Sequence, residues 1–79
     1  MYDVKIIHFY MVEYKKNGKK MNIEIDLREE IIQIGIVCIC KWEPPFDNEE
    51  LDIEERYNIA RDIKLYLENK KGMKCEIVE

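Results

Sequence analysis

Apolar residues recur at nearly every second position over Val4 to Tyr14, with His8 the exception, and again over Met21 to Leu27, the period of a strand with one buried face. Between these runs lies Lys16-Asn17-Gly18-Lys19. Asn-Gly suits a two-residue type I′ turn, whose two central residues both need positive φ. A turn at that dipeptide fixes the register: Tyr14 faces Met21, Val12 faces Ile23, Tyr10 faces Ile25 and His8 faces Leu27. Nearly all of these are apolar and share one side, and a slip of one residue would invert them all. On the other side Asn22, Glu24 and Asp26 make the second strand polar, while the first strand presents Ile7, Phe9 and Met11.

A third run, Ile31 to Trp42, is apolar at every even position, through Ile32, Ile34, Ile36, Cys38, Cys40 and Trp42. Its odd positions are mixed but include Ile31, Val37 and Ile39, so it reads as a central strand. Asp26-Leu27-Arg28-Glu29 also matches a capping box, which leaves a short helix over Leu27 to Ile34 as the alternative. The β-branched density keeps Ile36 to Trp42 a strand in either case. Pro44-Pro45 ends the run.

Beyond it the period changes to three and four residues. Ile53, Tyr57, Ala60, Ile63 and Leu67 make one helical stripe. Asp47 is the expected N-cap, with Glu50 at N3 and Phe46 and Leu51 as a hydrophobic staple. Lys70 and Lys71 complement the C-terminal end of the dipole, and Gly72 suits the left-handed cap. Met73 to Glu79 reads as a short edge strand. The expected fold is an α+β domain over residues 1-79, in the order β-β-β-α-β. It is a small, mostly antiparallel four-stranded sheet with one helix on one face.

A chain of 79 residues buries roughly 60% of its unfolded surface, which leaves one thin core and little room for a deep catalytic cleft. With 47% hydrophobic and 38% charged residues the composition is that of a folded protein. The net charge of -4 argues against direct nucleic-acid binding, where phosphate neutralisation supplies most of the affinity. The N-terminus has no secretory h-region, no run is long enough to span a membrane, and three cysteines are an odd set of thiols. Together these predict a reduced, cytoplasmic protein.

Candidate chemistry is sparse. Cys38, Cys40, Cys75 and His8 could hold zinc or serve a thiol-dependent factor. On a strand, however, alternate residues stand about 6.5–7 Å apart, and cysteine on an apolar face is more often a small hydrophobe. No metal, cofactor or catalytic set is therefore expected. Asp47, Glu49, Glu50, Asp52, Glu54 and Glu55 form an acidic patch, readable as helix capping or as a nucleic-acid mimic for a basic partner. Lys15, Lys16, Lys19 and Lys20 flank the Asn-Gly turn with no aromatic residue interleaved, which favours solubility over phosphate binding.

The most informative set is Ile7, Phe9, Met11, Val37 and Ile39. One helix covers one face of a sheet, so these five are expected to form an uncovered apolar patch that binds a protein partner or a second copy in a homodimer. The functional expectation is a non-enzymatic protein-binding module or small complex subunit. An acidic, Ile-rich chain of this size also fits inhibitors encoded by viruses or mobile elements, which act by occluding a host protein.

Overall fold

The computed structural model describes residues 1–79. Three antiparallel strands come first: β1 (Tyr2–His8), β2 (Met11–Lys16) and β3 (Lys19–Glu24), in the spatial order β1-β2-β3. β4 (Ile31–Gly35) runs into a 3-10 turn at Ile36–Cys38, an irregular segment follows, and then come the helix α1 (Ile53–Lys71) and β5 (Lys74–Val78). β4 and β5 form a separate two-stranded parallel sheet.

The Asn17-Gly18 turn has the expected handedness, with φ of 54° and 77°, and the register follows from it. Met11 opposes Glu24, Val12 opposes Ile23 and Tyr14 opposes Met21. The run from Val4 to Tyr14 is not one strand, however. It folds back at Phe9-Tyr10 into a second hairpin, with Val4 opposite Tyr14 and Ile6 opposite Val12. His8 therefore does not oppose Leu27. Instead the Leu27 and Ile25 amides donate to the Phe9 and Tyr10 carbonyls, at 2.8 and 2.9 Å.

The expected four-stranded sheet does not form, because the chain leaves β3 at an Asx turn. The Asp26 carboxylate accepts the Arg28 amide at 3.0 Å, and this turn replaces the helix that Asp26-Glu29 could have capped. The expected third strand stops at Gly35. β5 accompanies β4 only as far as the Gly35–Val78 pair, and without a ladder partner residues 36–38 tighten into a 3-10 turn. The strands that flank the helix, β4 and β5, pair in parallel, with the helix as their crossover connection.

α1 starts five residues later than Asp47 would place it. Asp52 is the N-cap and accepts the Glu55 amide at 2.8 Å, and Gly72 closes the other end at φ 65°. The buried stripe is Ile59, Ala60, Ile63 and Leu67; Ile53 lies outside it, exposed. This stripe packs with Val4, Val12, Tyr14, Met21 and Ile23 of the antiparallel sheet, Ile32 and Ile34 of β4, and Ile36, Ile39, Trp42 and Leu51 of the connecting segment. Tyr14 ties sheet to helix: its hydroxyl donates to the Asp62 carboxylate at 2.6 Å. Its ring stacks between Tyr2 and Trp42, with centroids 5.8 and 6.2 Å away.

Candidate functional site

Of the eight large apolar residues left exposed, three, Ile7, Phe9 and Tyr10, lie where β1 turns into β2. Phe9 is 63% exposed, and Ile7 and Tyr10 are each 45% exposed. The register shift between Ile6 and His8 leaves Ile7 unpaired as a bulge, a device that re-aims side chains at a sheet edge. The turn is held from several sides. The Tyr10 amide donates to His8 Nδ1 at 3.2 Å. His8 and Phe9 both pack edge-on to Tyr10, with centroids 5.9 and 6.2 Å from it. The Arg28 guanidinium lies 4.4 Å from the Tyr10 ring centroid.

Arg28 is itself fixed by Asp26, through bonds of 3.1 and 3.2 Å from Nε and Nη2. Those bonds hold the Asp26 carboxyl below its usual range and raise the Arg28 guanidinium. The tip is thus an ordered aromatic knob in which ring packing, a cation and two backbone hydrogen bonds restrain the apolar groups. It carries no nucleophile beside a base.

Of the five residues expected on the uncovered face, Ile7 and Phe9 stand exposed at this knob, and Met11 is half-buried at its base. Val37 is exposed at 69%, on the 3-10 turn after β4. Ile39 does not belong to the set. With the strand ended at Gly35, the alternation that pointed it outward is lost, and it is fully buried in the core. Tyr10 and Arg28 were missed, because a single long strand places Tyr10 on the core face. The aromatic run His8-Phe9-Tyr10 and the Asp26-x-Arg28 spacing are the signals that could have found them.

The comparisons add no family. Comparison with protein-family models, with curated proteins and with solved structures finds no match to this chain.

Cys38 and Cys40 are exposed rather than part of an apolar strand face, and Cys75 is half-buried on β5. His8 is engaged at the knob, and no three His, Cys, Asp or Glu side chains converge at metal-binding spacing. In the acidic patch, Asp52 caps α1 while Glu54 and Glu55 occupy its first turn, where they complement the dipole. Glu49 pairs with Lys19 at 2.5 Å, and Arg56 shares a surface cavity with Asp47, Glu49 and Glu50. Asp52, Glu54 and Glu55 thus serve the helix start and Glu49 an ion pair, while Asp47 and Glu50 are exposed without an ion pair.

Near the Asn-Gly turn the structure brings in aromatics the sequence order hides. Tyr2 and Phe46 line a surface cavity of about 660 Å³ with the four lysines. Three of those lysines face a glutamate: Lys15 to Glu13 and Lys20 to Glu43 at 3.6 Å, and Lys19 to Glu49, with Lys19 also over the Phe46 ring. The basic cluster is largely neutralised from within.

No helix is long and apolar enough to cross a membrane.

Proposed function

We propose that this protein is a non-enzymatic protein-binding module whose contact surface is the aromatic knob at the β1–β2 turn. The observation that carries the reading is Phe9, 63% exposed between Ile7 and Tyr10 on a turn whose backbone and rings are held in place. Leaving such a side chain in water forgoes about 1.5–3 kcal/mol of burial, so a restrained apolar tip favours association. Aromatic residues and arginine are the side chains most often dominant at protein interfaces, and the knob supplies both. A pre-ordered tip also loses little conformational entropy on docking.

A second copy of the chain is the simplest partner, since twofold pairing is the commonest closed assembly. A heterologous partner with a cleft that admits the knob would be occluded by it, which is how an inhibitor of this size would act. The test is concentration-dependent NMR of the folded chain. Self-association through the knob shifts or broadens the amides of residues 7–10 and 28 together as concentration rises, and leaves those of α1 unchanged. Uniform invariance across the range removes the self-association reading.

A further inference from the structure

Cys38 and Cys40 flank the buried Ile39, and both are exposed. They lie just past the end of β4, where the backbone bends. Ile39 has φ −93° and ψ 86°, close to an inverse γ-turn. Two trans Cα–Cα steps hinged at those angles set the Cα atoms of residues 38 and 40 about 6 Å apart. That separation is nearer than the spacing of alternate strand residues and falls in the middle of the range a disulfide spans. Because Ile39 points into the core, its two neighbours both face solvent. They line the same groove of about 370 Å³ beside the open edge of β3, with Asn22, Glu24 and Lys41 around them. The Cys40 thiol donates to the Val37 carbonyl at 3.1 Å, which turns its sulfur back toward the 3-10 turn that carries Cys38.

We infer that Cys38 and Cys40 form a dithiol–disulfide couple, a site for exchange with small-molecule or protein disulfides that is separate from the aromatic knob. The Cys38 thiolate attacks one sulfur of the incoming disulfide, making a mixed disulfide and releasing one thiolate. Cys40, freed from Val37, then attacks the Cys38 sulfur, closes the internal bond and releases the second thiolate. Two electrons pass from the cysteine sulfurs to the incoming disulfide, and the two cysteine protons end on the released thiols. Cys75 is the internal reference. It is half-buried on β5, and burial, with Glu68 nearby, raises its thiol above the usual range.

The experiment equilibrates the reduced full chain with glutathione at increasing oxidised fraction, alkylates the remaining thiols and reads them by mass spectrometry. Two of the three thiols are expected to disappear together, mapped to Cys38 and Cys40, with a mass loss of two hydrogens and Cys75 still alkylated. The far-UV spectrum stays native throughout. In Cys38→Ser the internal bond is absent and Cys40 goes no further than a glutathione adduct. The inference is overturned by separate adducts on Cys38 and Cys40, by a bridge that includes Cys75, or by three retained thiols in fully oxidised glutathione. A bridge that forms only as the native spectrum is lost also overturns it.

Discussion

Val37 and Ile39 sit two residues apart with opposite fates: the first is 69% exposed and the second is fully buried. A strand would have put them on the same side, and the even-odd pattern of Ile31 to Trp42 reads as such a strand. What decides otherwise is the reach of β5, which leaves everything past Gly35 without a ladder. Ile39→Ala is therefore expected to cost about 2–5 kcal/mol in denaturant melts, and Val37→Ala less than about 0.5 kcal/mol. Similar costs at the two positions would restore the strand.

At Tyr14 the chemistry is also local. Burial, reinforced by its hydrogen bond to Asp62, raises the phenol well above its ordinary value of 10.0. The folded state then keeps a proton that the unfolded chain gives up near pH 10. Stability from this group is complete below that pH and falls as the pH rises through and above it. Tyr14→Phe is expected to cost about 1 kcal/mol near neutrality, since half-buried Asp62 can take water in exchange. It is also expected to flatten the alkaline loss of stability. An alkaline slope equal to that of the parent chain would mean the phenol is not held in its neutral form.

At the scale of elements, the helix start separates two readings of one acidic stretch. Both Asp47-x-x-Glu50 and Asp52-x-x-Glu55 fit a capping box, and the local staple of Phe46 and Leu51 favours Asp47. The core chooses. Burying Ile59, Ala60, Ile63 and Leu67 phases the helix, and Leu51 is buried ahead of its first turn. Asp52→Ala is expected to cost about 1 kcal/mol of stability and Asp47→Ala less than about 0.5 kcal/mol. The reverse order would put the cap at Asp47.

The first hairpin was hidden for a different reason. Its two-residue turn at Phe9-Tyr10, combined with the bulge at Ile7, pairs even residues with even residues, as in Val4 with Tyr14 and Ile6 with Val12. A straight strand gives the same inside-outside pattern, so alternation cannot tell the two apart. No Gly, Pro or Asn marks the turn. The legible clue was charge: Asp3 opposite Lys15 and Lys5 opposite Glu13 are complementary cross-strand pairs only if the run folds back. The β2–β3 hairpin was legible because its Asn-Gly turn and its apolar pattern agree.

For the whole molecule, one buried cluster draws on both sheets, the helix and the long connection, and it contains no polar residue. With a single helix to cover them, the two sheets leave apolar residues outside, and the hairpin fold gathers Ile7, Phe9 and Tyr10 at one end. The sequence exposed that surplus correctly for Ile7 and Phe9. It could not anticipate that the surplus forms a knob rather than a flat face, because that depends on the hidden hairpin. The most direct measurement is sedimentation equilibrium of the parent chain and of Phe9→Glu, with thermal melts of both. The account predicts that the parent associates with rising concentration, and that Phe9→Glu stays monomeric with its melting temperature within a few degrees of the parent's. An unfolded variant would place Phe9 in the core. A parent chain that remains monomeric without a partner that needs Phe9, or association that survives the substitution, would contradict the knob as the contact surface.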